Sequence, residues 1–181
     1  MSDPLQGLVD SIVAETAGLP EPDTLATWKP ELSGDIDILI RADGTWEHDR
    51  EPILREGLVR LFASLLRRES DGHYYLVTPI EKWRIRVEKH ALQVVDCDQR
   101  GRNGDGAWYA KLNTGGQCRL GAERILHPEN NGEAPWLSLP NGLSAQVTRA
   151  AWYRLIDAAT VEDDQAYVFS AGERIVLGSI D

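Results

Sequence analysis

The sequence predicts an α+β fold of two similar small domains, each mostly antiparallel sheet or partial barrel with one packed helix. Three observations carry this. Links between successive strands are too short to hold repeated crossover helices, so a doubly wound parallel sheet is disfavoured. Two amphipathic helical stretches lie far apart in the chain. The order helix, acidic turn, strand, strand occurs twice, which reads as an internal duplication. The domains are expected at residues 1–88, with a helical N-terminal extension, and 89–181.

The elements follow in order. Leu5, Leu8, Val9 and Ile12 fall on one side of a helix reaching about Ala17, which "GLPEPD" stops. "IDILIR" alternates Ile36, Ile38 and Ile40 against Asp37, Leu39 and Arg41, the pattern of a strand, and "ADG" turns it into a short second strand at Trp46. Pro52 opens a helix predicted to run to about Arg68, with Leu54, Leu58, Leu61, Phe62 and Leu65 as its buried stripe. Gly57 inside that helix points to a close backbone neighbour. "HYYLVT" and "WRIRV" follow as strands broken at Pro79. "HALQVVDC", "AWYAKL", "CRLGAERIL" and "WLSLP" continue the strand series. Ser144 is the expected N-cap of a helix to about Ala159, and "QAYVFS" and "GERIVLG" form a last hairpin. Across the two repeats Arg60 corresponds to Arg154 at an offset of 94. Tyr75 with Tyr167, Glu81 with Glu173 and Lys82 with Arg174 correspond at 92.

Composition bounds the function. The chain has 181 residues, 42% hydrophobic and 27% charged, as soluble globular chains do. No run of eighteen apolar residues occurs, so no membrane insertion is expected. The acidic start, "MSDPLQGLVDSIVAE", argues against secretion and for a cytoplasmic protein. Cys97 and Cys118 read as reduced thiols. The net charge of −10 is uneven: residues 53–90 hold 8 Lys/Arg against 5 Asp/Glu, whereas residues 1–52 hold 3 against 12. That basic island is too weak a field for nucleic acid, and no such partner is expected.

Strand alternation puts Lys82, Arg84 and Arg86 on one face, a set suited to a phosphate, a carboxylate or an acidic peptide segment. Arg60, Thr78 and Glu81 are expected beside them, and Asp43 with Trp46 is expected to form a turn that presents an indole. A cleft between paired small domains is a common ligand site, so these eight residues are assigned to an interdomain groove. No metal or cofactor is expected. In "DCDQRGRNGDG" the spacing of a calcium loop would put the cation Arg100 among the ligands and Ala107 in place of the bidentate acid. No nucleophile elbow, zinc-protease or phosphate-loop motif is present. The reading is therefore a non-catalytic binding or regulatory module. Its alternative is a hydrolase or transferase whose site assembles from distant residues, with His73 or His90 near a carboxylate.

"GDID" from Gly34, "DGTW", Pro52-Ile53, "LVRLF", "LRRESDG" and "YLVTPIEK…IRVE" together resemble the bacterial domain-of-unknown-function family numbered 1285, strongly over residues 32–88. The resemblance implies two similar α+β domains and a binding site at the interdomain surface. It further implies a superficial pleckstrin-homology likeness of the second domain and a role in signal transduction, with no established activity. Lys89-His90-Ala91-Leu92 departs from the Asp-Ala-Pro-Phe expected after "IRVE".

Overall fold

The computed structural model describes residues 4–15, 18–101, 105–128, 130–131 and 133–180. The chain forms two compact units. One runs to Lys89 and takes in Pro140–Leu143; the other comprises His90–Leu139 and continues from Ser144. Each is mainly sheet with a helix, and one of the sheets curls into a half-barrel.

In the first unit, helices α1 (Pro4–Glu15) and α2 (Pro22–Thr27) precede β1 (Leu32–Ile40), β2 (Trp46–His48) and β3 (Glu51–Pro52). Helix α3 (Glu56–Ser64) follows, then β4 (Leu66–Arg68), β5 (Tyr74–Val77) and β6 (Lys82–Val87). The strands form one sheet in the order β3-β2-β1-β6-β5-β4. Every pairing is antiparallel except β1 with β6. Alternation decides which face is buried. Ile36, Ile38 and Ile40 are in the core, with Trp46 opposite Ile40 and stacked on Phe62 of α3 at 6.4 Å. Helix α3 therefore covers the isoleucine face, and Asp35 and Asp37 point the other way. Gly34, at φ +148°, marks an extra residue in β1, and a Cβ there would stand 3.2 Å from Trp83.

The second unit holds β7 (Leu92–Arg100), β8 (Ala107–Leu112), β9 (Gln117–Arg119), β10 (Leu126–His127), β11 (Trp136–Ser138) and β12 (Ser144–Val147). Helix α4 (Arg149–Asp157) and strands β13 (Thr160–Glu162), β14 (Gln165–Ser170) and β15 (Glu173–Ser179) complete it. A six-stranded sheet runs β10-β11-β12-β7-β8-β9, with β12 parallel to β7; a three-stranded sheet runs β13-β14-β15. Thr148 caps α4 by accepting from the Ala151 amide, and the helix buries Ala151 and Leu155. Ser170 joins the two sheets: its hydroxyl accepts from the Trp108 amide at 3.0 Å and donates to the Leu120 carbonyl at 2.7 Å.

The duplication is physical as well as textual. Each unit contains a nine-residue helix followed by three antiparallel strands. In the last hairpin the registers coincide at an offset of 92: Tyr75↔Arg84, Leu76↔Trp83 and Val77↔Lys82 match Tyr167↔Val176, Val168↔Ile175 and Phe169↔Arg174. Even side-chain contacts repeat. Lys82 lies over the Tyr75 ring at 4.8 Å and Arg174 over the Tyr167 ring at 3.9 Å, while each tyrosine hydroxyl donates to an acid of the preceding turn or strand, Asp71 or Glu162. The helices align differently. Their C-caps, Leu65 and Ala158, give an offset of 93. Arg60 thus matches Tyr153, and the correspondence with Arg154 fails by one residue.

Several expected boundaries move. The helix predicted from Pro52 to Arg68 is Glu56–Ser64, because Glu51–Pro52 pairs with β2 and Leu66–Arg68 pairs with β5. Leu54 is accordingly 86% exposed. Nothing lies within 4 Å of a Cβ at Gly57, so no backbone approaches it. Pro22 starts a short helix where only a stop was expected, with proline in the first turn, where its missing N–H costs nothing. Ser144 begins a strand, since Ala145 and Val147 alternate inward, and Thr148 takes the capping role. The predicted first helix reaches Glu15; its expected end at Ala17 lies outside the described residues.

Candidate functional site

On the first unit's sheet, the face turned away from α3 is polar at one end and apolar at the other. Cross-strand pairing builds a row Arg67, Tyr75, Arg84, Asp35 across β4, β5, β6 and β1. Beside it stand Lys82 and Val77, then Arg86 and Asp37. At the apolar end, Leu25 and Trp28 pack on Tyr75 and Val77. Arg67 holds this cover in place: its Nη1 donates to the carbonyls of Leu25, at 3.1 Å, and Trp28, at 2.7 Å, at the C-terminus of α2. A guanidinium there meets the negative end of the helix.

The three strand cations do share one face, and each has an acid. Lys82 Nζ lies 3.0 Å from Glu69 Oε2, and Arg84 Nε lies 3.6 Å from Asp35 Oδ1. Arg86 is paired with Asp37, and Arg67 reaches Glu69 Oε1 at 2.6 Å. Glu69 thus bridges two cations. Burial alone would raise its pKa, but hydrogen bonds from Lys82 and Arg67 outweigh burial and hold it below the usual carboxylate value. The Tyr75 hydroxyl, 2.5 Å from Asp71 Oδ2, lowers the Asp71 pKa, and that bond with burial raises its own.

Two of the clefts on this unit bear on this face. One, of about 610 Å³, runs along the acid–arginine pairs and is lined by Asp35, Asp37, His73, Arg84 and Arg86. The other, of about 450 Å³, is lined by Lys29, Arg67, Arg68, Glu69, Lys82 and Asn141. Their charges differ. The larger cleft balances two arginines with two aspartates, whereas the smaller sets four cations against one acid. Asn141 belongs to the segment Pro140–Leu143, fixed here by hydrogen bonds from its side-chain amide to the Pro22 carbonyl and from the Arg68 amide to its own carbonyl.

The remaining predicted residues are placed elsewhere. Arg60 is exposed on α3, on the far side of the sheet from Lys82, Arg84 and Arg86, so alternation separates what the sequence grouped. Thr78 is fully buried, and its hydroxyl accepts from the Glu81 amide at 3.0 Å, closing a turn. Glu81 Oε2 and the indole nitrogens of Trp46 and Trp83 are buried without a hydrogen-bond partner. Trp46 is 2% exposed and presents no indole to solvent. The Asp43 carboxylate accepts from the Thr45 amide at 2.9 Å, which holds its pKa low and the turn in shape.

Sequence reasoning named no serine–histidine pair in the second unit, yet among the described residues two form. His90 Nδ1 lies 2.8 Å from Ser144 Oγ and His127 Nε2 lies 2.9 Å from Ser138 Oγ. Ser138 and Ser144 are cross-strand partners, and Trp136 stacks on His127 at 3.6 Å. Only strand pairing brings these residues together, so no local motif announced them.

Comparison with known proteins gives a family. Residues 23–90 match the model "Domain of unknown function (DUF1285), N-terminal domain", and residues 91–177 match "Protein of unknown function (DUF1285), C-terminal domain". No curated protein matches. The crystal structure of a DUF1285 family protein from Silicibacter pomeroyi DSS-3 is similar at a TM-score of 0.82, with 33% sequence identity over 99% of this chain and 97% of that one. A DUF1285 family protein from Shewanella baltica OS155 aligns at a TM-score of 0.55, with 26% identity over 67% of this chain and 91% of that one. With both of its units matched in order, and a relative of the same architecture along nearly its whole length, the chain belongs to the DUF1285 family.

Proposed function

We propose that the chain is a non-catalytic binding module whose first unit takes a small anionic ligand, bearing a carboxylate or phosphate group, in the cleft around Glu69. The observation that supports this is the charge of the wall. Lys29, Arg67, Arg68 and Lys82 line a cleft that holds one carboxylate, in a molecule of net charge −10. Lys82 and Arg67 are already directed by Glu69, Lys29 stands exposed at the rim, and Arg68, also exposed, is held by the Gly72 carbonyl and lies over the Tyr74 ring. Such preorganised donors suit a multidentate anion. The arginines of the larger cleft are matched by aspartates and favour an anion less. Binding of this kind fits a regulatory role, the signalling use that the family resemblance suggested.

The test is calorimetric titration of the full chain with inorganic phosphate and with citrate, beside the double variant Lys29→Glu/Arg68→Glu. The expected result is binding by one of these probes that weakens about tenfold or more in the variant. Absence of heat with both probes at about 10 mM, or equal binding by the variant, overturns the reading.

A second reading, a hydrolase or transferase, draws on the Ser144–His90 and Ser138–His127 pairs, since a serine beside an imidazole is the unit of nucleophilic catalysis. Covalent labelling by a fluorophosphonate, lost in Ser144→Ala or Ser138→Ala, supports it; no labelling of the native chain removes it.

A further inference from the structure

Helix α2 has six residues, and the Glu21 side chain makes no capping bond to it. Helices shorter than about twelve residues are marginal by themselves in water, so α2 is helical only while it is docked. Docking rests on the buried Leu25 and on Trp28, which pack on Tyr75 and Val77. Side chains from the rest of the unit hold the two ends. At the first, the Asn141 amide donates to the Pro22 carbonyl at 3.1 Å. At the last, Arg67 Nη1 donates to the carbonyls of Leu25 and Trp28.

The same guanidinium reaches into the anion cleft. Its Nη2 donates to Glu69 Oε1 at 2.6 Å, and the side chain is only 12% exposed. The cleft takes its walls from both bodies. Ala26, Lys29 and Pro30 belong to α2 and the residues just after it, whereas Arg68, Glu69 and Lys82 belong to the sheet and its turn. An anion held there meets Lys29 on one wall and Lys82 on the other.

The second unit carries the same hairpin without this cover. Phe169 occupies the position of Val77 and is 51% exposed, whereas Val77 is fully buried. Opposite Tyr167 stands Thr160, where Arg67 stands opposite Tyr75. A hairpin of this design therefore forms with that face open. The cover is an addition, found where an arginine can latch it.

We propose that α2 is a strap whose closure the anion cleft controls. A phosphate or polycarboxylate bridges Lys29 on the strap to Lys82 on the sheet, keeps Arg67 aimed at the two carbonyls and holds α2 down. Without the anion, α2 is held by its latch alone and opens more often, baring Tyr75 and Val77. The strap rests on the anion site proposed for this cleft and adds what occupancy of that site does.

The test is amide exchange in the full chain, alone and with inorganic phosphate or citrate at about 10 mM, with calorimetry on the same samples. The readouts are the Leu25 and Trp28 amides, bonded to the Glu21 and Leu25 carbonyls, and the reference is the Val77 amide, bonded to the Leu65 carbonyl. In the free chain Leu25 and Trp28 are expected to exchange at least about tenfold faster than Val77, and the bound anion to slow them at least about tenfold. Arg67→Met is expected to speed them by a similar factor relative to Val77. Should Arg67→Met fail to fold, Asn141→Ala releases the other end and is read in the same way. Heat of binding without slower exchange at Leu25 and Trp28 overturns the strap and leaves the anion site standing. No heat with either anion overturns both. Leu25 and Trp28 exchanging as slowly as Val77 in the free chain, or unchanged in a folded latch variant, overturns the strap as well.

Discussion

Thr78 and Ser170, ninety-two positions apart, are both fully buried hydroxyl residues at the same place in their hairpins. Thr78 accepts from the Glu81 amide within its own turn, whereas Ser170 binds Trp108 of another sheet and Leu120, the residue after that sheet's β9. Removing Ser170 Oγ leaves a buried N–H and a buried C=O without partners, each costing about 1–3 kcal/mol. We expect Ser170→Ala to destabilise by about 2–4 kcal/mol and Thr78→Val by about 1–2 kcal/mol, read from urea unfolding midpoints. Equal effects would show that the bonds to the larger sheet carry no extra weight.

Two glycines predict opposite results. At Gly142, φ is +71° and a Cβ would stand 2.7 Å from the Arg68 carbonyl oxygen, a backbone atom with little room to yield. Gly142→Ala is expected to cost about 2 kcal/mol or more. Gly57 has open space around it, so Gly57→Ala is expected to be neutral or to stabilise by up to about 1 kcal/mol. Thermal melts of the two variants side by side check both.

The Glu69 pKa is depressed by its two cations, so its contribution to stability has a definite direction. The contribution is complete above the ordinary value of 4.5 and is lost as pH falls through the lower value of the folded chain. Glu69→Gln is expected to be less stable than the parent at neutral pH and to lose stability less steeply below about pH 4.5. Chemical unfolding between about pH 7 and 3 measures the difference; parallel curves would contradict it.

Cys97 and Cys118 both face Ala110, in register on either side of it, and so stand two strands apart. That separation is about 9.5 Å, too far for a disulfide. Burial, with Asp96 adding to it, pushes the Cys97 thiol up to about 12, and burial raises Cys118 as well. The native chain is expected to react slowly with a thiol-specific disulfide reagent and rapidly once unfolded. Fast labelling of Cys97 in the folded protein, located by mass spectrometry, would count against this packing.

Regular alternation was legible in the sequence. "AWYAKL" and "QAYVFS" are β8 and β14 residue for residue, and the repeat offset of 92 became a shared hydrogen-bond register. Helix ends were not, because Leu65 and Leu66 continue a helical stripe while the backbone turns to pair with β5. The common face of Lys82, Arg84 and Arg86 followed from their spacing. Their partners did not, since Asp35 and Asp37 reach them only through a parallel pairing some fifty residues distant. Lys29 and Asn141, from opposite ends of the first unit's chain segments, carried no local signal at all.

Strand β1 meets β6 through pairs that are half open to water, and such pairs are individually weak. Their larger effect is on fidelity. If β1 slipped by one position, Asp35 and Asp37 would enter the face that α3 seals, and the three isoleucines would emerge beside arginines. Each carboxylate so trapped would be penalised far beyond what its ion pair returns. The alternation of aspartate and isoleucine therefore acts as a key with one notch: it adds little to the strength of the closed sheet but makes the wrong closure prohibitive.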